Sequence, residues 1–199
     1  MSLITKVKAG SVSSLSDARY FAGMGVDWLG FDVNPKSNSF VSAELHKNIA
    51  AWVSGPKRVI EIHGQIDSVS IDKILDDYQP DFIELDLGYV SQIPLGMSAF
   101  VRSGFSSIQF EQLEKYAKRV EYLVLHIVEG DPFTEQDTLK KIASIAKILL
   151  SIQVDFRGSQ KAIRELPIAG IALTGSHEFK TGLKSYDYSE ILESLEDVS

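Results

Sequence analysis

The chain has 199 residues, of which 44% are hydrophobic and 24% are charged, as is ordinary for a globular protein. A formal net charge of −7 and a pI near 5.1 argue against a surface for nucleic acid or acidic membranes, which requires a basic field. The sequence has no cysteine, which excludes disulfides, thiolate metal sites and thiol catalysis. Without a signal-peptide pattern or an apolar run near the ~20 residues of a membrane span, we expect a cytoplasmic protein with no membrane partner.

The first elements follow one another as helix, buried strand and loop. Residues 3–8 (LITKVK) predict a first strand, and Ser14 with Asp17 resembles a capping box that begins a helix. The helix is expected to end at the glycines of 23–25. Residues 26–33 form a nearly unbroken apolar run, which is typical of a strand buried on both faces. Residues 34–37 (NPKS) then break the strand into a loop.

The rest of the chain repeats this alternation. Further strands are predicted at 57–62, 81–87, 97–102, 122–128, 148–154 and 168–173. Helical faces are predicted from Leu45, Ile49, Trp52 and Val53; Ile71, Ile74, Leu75 and Tyr78; Phe110, Leu113, Tyr116, Ala117 and Val120; Leu139, Ile142, Ala143 and Ala146; Ala162 to Leu166; and Tyr188, Ile191, Leu192 and Leu195. Ser42 is placed to cap the second helix, and Thr134 with Asp137 to cap a later one.

Eight strands alternating with helices predict a fold of the α/β class, a compact (β/α)8 TIM barrel that forms a single domain over residues 1–199. The connection at 88–94 is too short for a good helix, so the helix after the fourth strand is expected to be short or missing. A doubly wound open sheet is the alternative, but such a sheet rarely needs eight regular units. The glycine-rich patterns GxGxxG and GxxxxGK[ST] are both absent.

In a barrel of this kind the active site lies at the carboxyl ends of the strands. Those ends carry Lys8, Asp32, His63, Asp86, Arg102, His126, Gln153, Asp155, Thr174 and Ser176. A buried carboxylate at Asp32 suits a general acid or base, the alternative being a salt bridge to a lysine or arginine of a neighbouring strand. His126 and Asp86 are the other catalytic candidates, although a hydrogen-bonded core histidine is as good an interpretation of His126.

The remaining polar strand ends suggest binding roles. Lys8 and Arg102 are candidates to bind a phosphate or carboxylate. The turn Thr174-Gly175-Ser176 offers backbone N–H groups and hydroxyls, which can hold a phosphate. His63, His126 and the two aspartates lack the tight spacing of metal ligands, so we expect no metal site.

Two long segments carry a resemblance to a known family. KVKAGSVSSLSDA from Lys6 and GVDWLGFDVNPKSNSFVS up to Ser42 follow, without a gap, the first two βα units of phosphoribosylanthranilate isomerases, which run KVKICGITNLEDA, GADAVGF and PKSxRxIS. Weaker similarity continues through DFIELDLG, YLVLHI, ILLS and TGSHE. The resemblance implies a barrel without a cofactor that rearranges a phosphorylated aminoaldose to an aminoketose. That reaction needs a general base and a general acid on opposite sides of the sugar.

The functional positions of the family differ in this chain. The cysteine that serves the family as general base corresponds to Gly10, and the glycine after it to Ser11. The aspartate that serves as general acid corresponds to His126, and the arginine of PKSxR to Ser39. Since glycine cannot abstract a proton, the resemblance leaves His126 as a possible general acid and Asp32 as the nearest substitute base.

The phosphate and strand-end positions differ as well. A glycine pair after the seventh strand corresponds to Ile152-Gln153, and the histidine of the QLHG strand end corresponds to Asp86. The Ser-Gly after the eighth strand survives only within Thr174-Gly175-Ser176.

Three functions remain open. The first is a divergent enzyme that acts on a small phosphorylated sugar or amine with Asp32, His126 and Asp86. The second is a non-catalytic barrel, a pseudoenzyme that binds a small ligand or a protein partner. The third is the family's isomerase of tryptophan biosynthesis with unusual residues. The prediction is therefore a barrel of this type that is divergent in, or deficient for, the family activity, and that exists as a monomer or homodimer.

Overall fold

The predicted (β/α)8 barrel is confirmed. The computed structural model describes residues 3–64, 68–127, 132–152, 159–174, 178–180, 183–184 and 188–197. Eight parallel strands close in the order β1 to β8, each paired with its sequence neighbours and β8 with β1. They are β1 Lys6–Gly10, β2 Trp28–Asp32, β3 Lys57–Ile62, β4 Phe82–Asp86, β5 Ala99–Gly104, β6 Val120–His126, β7 Ile148–Ile152 and β8 Gly170–Thr174. The closed order excludes the open-sheet alternative.

Helices connect the strands at every position but one. They are α1 Leu15–Gly23, α2 Ala43–Trp52, α3 Ser68–Tyr78, α4 Phe110–Tyr116, α5 Gln136–Ala143, α6 Ser159–Glu165 and α7 Ser189–Ser194. After β4 the chain forms only a 3-10 helix, Leu87–Gln92, which confirms the expected short or missing helix. A small antiparallel hairpin that the sequence did not predict pairs β9 Glu178–Lys180 with β10 Leu183–Lys184.

The first two helices begin where the sequence places their caps. The Ser14 hydroxyl accepts a hydrogen bond from the Asp17 backbone N–H at 3.1 Å, and the Ser42 hydroxyl accepts one from the Leu45 N–H at 3.2 Å. The cap predicted at Thr134 is wrong by one residue, because Glu135 occupies the N-cap position of α5 and makes no side-chain cap bond.

The predicted apolar face of α2 is wrong in part. Trp52 is 75% exposed and Leu45 is 37% exposed, whereas His46 and Ile49 are buried. The buried face is therefore rotated by one position, because the ring of His46 packs at 4.9 Å from the ring of Phe31 and at 5.5 Å from that of Tyr78. An aromatic environment accepts the imidazole as an apolar side chain.

Several strand bounds also require correction. The bounds of β3 are as predicted, but β1 and β5 both end two residues later than expected, at Gly10 and Gly104, and β6 begins and ends two residues earlier. Lys8 is therefore not a strand-end residue, since it lies in the middle of β1. Buried apolar runs locate strands well, but their ends depend on pairing with neighbours across the sheet.

Alternate residues of each strand point into the barrel. At the amino-terminal end the interior is filled by rings, with Trp28, Phe82 and Tyr122 each packed near Phe100 at centroid distances of 5.3, 5.4 and 5.3 Å. A second, larger apolar cluster lies between the strands and the surrounding helices. Among the described residues, no helix is both long enough and apolar enough to cross a membrane.

Candidate functional site at the carboxyl end of the barrel

Four of the predicted residues share the inner wall near the mouth of the barrel. The rings of Trp28, Phe82, Phe100 and Tyr122 point into the barrel. Because alternate residues of a strand point to the same side, the residues two or four positions later on these strands also point inward, namely Asp32, Asp86, Arg102 and His126. Asp86 is in register with Arg102 across β4 and β5, and His126 with Gly104 across β5 and β6. The backbone of Thr174 ends β8, while Gly175, Ser176, Gln153 and Asp155 lie outside the described residues.

Below the mouth the barrel contains a buried ionic cluster of Lys8, Glu61 and Glu84. The Lys8 ammonium pairs with Glu61 and lies 2.9 Å from Glu84 Oε2. Each of the three residues is only 2% exposed. Lys8 is thus one layer below the strand ends, held between two carboxylates.

Two glycines make the room that this cluster occupies. A Cβ at Gly10 would lie 2.7 Å from Glu61 Oε1 and 3.2 Å from the Lys8 ammonium, and a Cβ at Gly30 would lie closer still to the same carboxylate. The second Glu61 oxygen accepts hydrogen bonds from the backbone N–H of Ser11 at 2.9 Å and from its hydroxyl at 3.3 Å. Ser11 has φ 53, a left-handed conformation that favours glycine, and these bonds hold it there.

The cluster fixes the charge of its members. Burial alone would lower the pKa of Lys8, but the carboxylates of Glu61 and Glu84 raise it above the ordinary lysine value. Burial would raise the pKa of Glu84, but the charges of Lys8 and His63 hold it well below its usual range. An ammonium with a raised pKa is a poor nucleophile, so Lys8 is not poised for Schiff-base chemistry.

His63 lies just above this cluster, between two carboxylates. Its Nε2 is 3.6 Å from Glu84 Oε1 and its Nδ1 is 3.9 Å from Asp32 Oδ2. Burial would lower the pKa of His63, but the neighbouring carboxylates of Glu84 and Glu61 raise it. Asp32, which the sequence suggested might pair with a lysine or arginine, instead faces this imidazole and accepts the Asn34 N–H at 2.9 Å.

The surroundings of His126 shift its pKa in the opposite direction. Burial, followed by the charge of Arg102, lowers its pKa to about 4, so the imidazole is neutral at pH 7. Its Nε2 is buried and has no hydrogen-bond partner among the residues that the structure describes. The mouth therefore carries two imidazoles whose surroundings shift their pKa values in opposite directions.

Asp86 and Arg102 form a fixed pair on the same wall. Arg102 donates to Asp86 Oδ1 from Nε at 2.9 Å and from Nη2 at 2.7 Å. The other Asp86 oxygen accepts the backbone N–H of Gly64 at 2.9 Å. Both carboxylate oxygens are engaged, so Asp86 positions Arg102 and the segment after β3.

Sequence reasoning named His63 as a strand end and as a rejected metal ligand, gave it no catalytic role, and missed Glu61 and Glu84. A signal was present, because Glu61 is two residues before His63 and Glu84 two before Asp86, in phase with the inward-facing positions. In the part of the chain that the structure describes, no group of three or more histidine, aspartate and glutamate side chains is arranged to hold a metal ion.

Comparison with known proteins supports the fold rather than a reaction. No protein-family model matches the chain, and no curated protein matches it in sequence. Phosphoribosylanthranilate isomerase from Thermotoga maritima, solved as monomers of a dimeric enzyme, superposes with a TM-score of 0.73 at 17% identity, covering 96% of this chain and 97% of the other. The same enzyme from Thermus thermophilus gives 0.71 at 17% identity, covering 96% of each chain.

A different barrel, KGPDC from Streptococcus mutans, gives a TM-score of 0.61 at 12% identity and covers 87% of this chain and 88% of its own. At these identities the likeness shows a common fold. The resemblance that the sequence motifs indicated is thus confirmed at the level of the fold, over nearly the whole described chain.

Proposed function

We propose that this chain is a phosphoribosylanthranilate isomerase-like barrel, diverged in its reacting groups, that transfers protons on a small phosphorylated sugar or amine. The observation that carries the proposal is the pair of imidazoles at the mouth, His63 between two carboxylates and His126 beside Arg102. Titratable groups whose surroundings separate their pKa values are the usual sign of an acid and a base. Both side chains lie at the carboxyl ends of strands, which is where barrels hold their active sites.

The roles differ from those expected from the sequence. His126 is neutral at pH 7 and suits a general base that removes a proton from the carbon next to a carbonyl or imine. His63 retains its proton more readily and suits the general acid, with Asp32 orienting its imidazole. Arg102, which Asp86 holds in place, is the candidate donor of N–H groups to a substrate anion. A phosphate at Thr174-Gly175-Ser176 remains a prediction, as does a monomeric or homodimeric state.

A second candidate, a non-catalytic binding barrel, has an observation of its own. The position of the family's general base is Gly10, and the nearest carboxylate, Glu61, is engaged by Lys8 and Ser11. A base that is fixed in this way has no free lone pair directed to a substrate. Such a barrel would bind a small phosphorylated metabolite without turning it over.

Turnover on freshly prepared phosphoribosylanthranilate separates the two candidates. We expect measurable isomerisation by the parent chain, a decrease of about 10²–10⁴-fold in His126→Ala, and a smaller decrease in Asp32→Asn. His46→Phe is the matched control, because His46 is buried under α2 and does not line the mouth. A parent chain without turnover would contradict the isomerase assignment and favour the binding barrel.

A further inference from the structure

The turn that leads into β5 presents an apolar side chain to solvent. The Met97 backbone N–H donates to the Pro94 carbonyl at 3.2 Å, and Gly96 has φ 80, the conformation that a type II turn requires at its third residue. Leu95 is at the tip of this turn and is 96% exposed, the highest value among the large hydrophobic side chains that the structure describes.

Arg119 holds this turn in place. Its Nη2 donates to the Pro94 carbonyl at 2.7 Å and also to the Ile93 carbonyl. Arg119 is the last residue before β6, and β5 and β6 are paired from their first residues. Leu95 is therefore fixed beside the cations that precede β6.

The surface next to the turn is basic in an acidic chain. Residues 113–121 end α4 and begin β6, and residues 136–147 form α5 and lead to β7. Together they contain six cations and three carboxylates, a net charge of +3, while the rest of the chain carries −10. We define the basic patch as Leu95 with these cations, which are Lys115, Lys118, Arg119, Lys140, Lys141 and Lys147.

The patch is continuous across its two segments. The Lys141 ammonium of α5 lies 4.1 Å from the ring centroid of Phe110 in α4, and the Lys147 ammonium lies 3.6 Å from Glu121 Oε1 at the start of β6. The backbone agrees, because the Leu123 N–H donates to the Lys147 carbonyl at 2.8 Å. The cations before β6 and β7 thus share one surface with the turn before β5.

Much of this charge remains available to a partner. Lys115 and Lys118 make no ion pair in the described part of the chain, and the exposed pair of Lys140 with Asp137 is weakened by solvent. Stabilisation of helix carboxyl ends does not explain the surplus, because α1, α2, α3 and α7 have no basic residue in their last turns.

We propose that the basic patch docks an acidic, amphipathic segment of another protein, with its carboxylates toward Lys115, Lys118 and Lys147 and its apolar side chains against Leu95. Charge complementarity favours this occupant. Since the rest of the chain carries −10, an extended anionic surface such as a membrane would meet repulsion outside the patch, whereas a short acidic segment would not. The patch surrounds the amino ends of β5 to β7, away from the mouth, so it is independent of the proposed reaction.

Titration with a short synthetic peptide of glutamate and phenylalanine, followed by two-dimensional ¹H–¹⁵N NMR at pH 7, tests the patch. We expect saturable shifts at the amides of Leu95, Gly96 and Lys118, and weaker binding as salt is added. Lys118→Glu should weaken binding about tenfold and Leu95→Ala about threefold. Lys47→Glu makes the same charge change at an exposed position of α2, across the barrel, and should leave binding unchanged.

A peptide of glutamate alone separates the two parts of the recognition. It should bind the parent chain more weakly than the mixed peptide does, and this difference should disappear in Leu95→Ala. Shifts that do not saturate, shifts confined to the mouth, or an equal effect of Lys47→Glu and Lys118→Glu would overturn the proposal.

Other occupants of the patch would give different results. Tighter binding to phosphatidylserine vesicles than to the peptide would assign the patch to a membrane, and self-association that Leu95→Ala abolishes would assign it to a second copy of this chain. Either result overturns the acidic partner. A parent chain that binds the peptide but lacks turnover would contradict the proposed function and leave the basic patch standing.

Discussion

At the scale of single residues, the charge of His63 depends on groups from four neighbouring strands. Asp32 of β2, Glu61 of β3 and Glu84 of β4 face it with negative charge, and Arg102 of β5 with positive charge. The carboxylates prevail and raise the pKa of His63. We expect an NMR titration to give His63 a pKa above ~6.5 and His126 one near 4.

Glu84→Gln should lower the pKa of His63, because the change removes the first of the groups that raise it. His46 serves as the internal control, since burial and the charge of Arg58 dominate its pKa and Glu84 does not contribute. A His63 pKa that is unchanged in Glu84→Gln would show that the contact at 3.6 Å does not govern its charge.

The two interior glycines make a second prediction at this scale. Gly30→Ala would place a Cβ against the Glu61 carboxylate, and we expect a loss of about 1–3 kcal/mol in the free energy of unfolding. Gly23→Ala is the matched control, because nothing lies within 4 Å of its Cβ and alanine favours the helix. Urea unfolding measures both, and equal stability of the two variants would argue against the packed arrangement.

At the scale of elements, we expect the packing of α2 to make the stability of the fold sensitive to acid. Burial, then the charge of Arg58, lowers the pKa of His46 to about 4. The unfolded chain therefore binds this proton more tightly than the folded chain does. The contribution of neutral His46 to the free energy of unfolding is therefore full above about pH 6.5 and is lost as the pH falls toward 4.

His46→Phe should remove this loss. Between pH 7 and pH 4 we expect the variant to lose about 1–3 kcal/mol less unfolding free energy than the parent, measured in urea at each pH. His63→Gln is the opposite control, since a raised pKa contributes stability below ~6.5 that disappears as pH rises through the folded-state value. Parallel pH profiles of His46→Phe and the parent would contradict the prediction.

The elements were largely predictable from sequence because buried strands of a parallel barrel are continuous apolar runs, as WLGFD and FIELD are, apart from the inward polar positions. The side chains that pair with one another inside the barrel were not predictable in the same way. That Glu61 meets Lys8, 53 residues earlier, depends on barrel closure and on the space at Gly10 and Gly30. The rotated face of α2 was missed because His46 was not counted as an apolar residue.

At the scale of the whole molecule, the buried cluster joins β1, β3 and β4 through charge. Lys8→Met would leave two carboxylates buried without their cation, so we expect a loss of about 3–5 kcal/mol in the free energy of unfolding. The triple variant Lys8→Met, Glu61→Met and Glu84→Met removes every charge of the cluster and should be more stable than Lys8→Met alone. A triple variant no more stable than the single one would show that the charges are not the cause.

Proton transfer at the mouth is tested most directly by hydrogen exchange with solvent. The parent chain is incubated in D₂O with phosphoribosylanthranilate. ¹H NMR then follows the substrate proton on the carbon next to the carbonyl or imine. We predict exchange or product deuteration above the protein-free rate, reduced about 10²-fold or more in His126→Ala and retained in His46→Phe. Exchange at the protein-free rate, or equal exchange in His126→Ala, would contradict an acid–base role for the mouth.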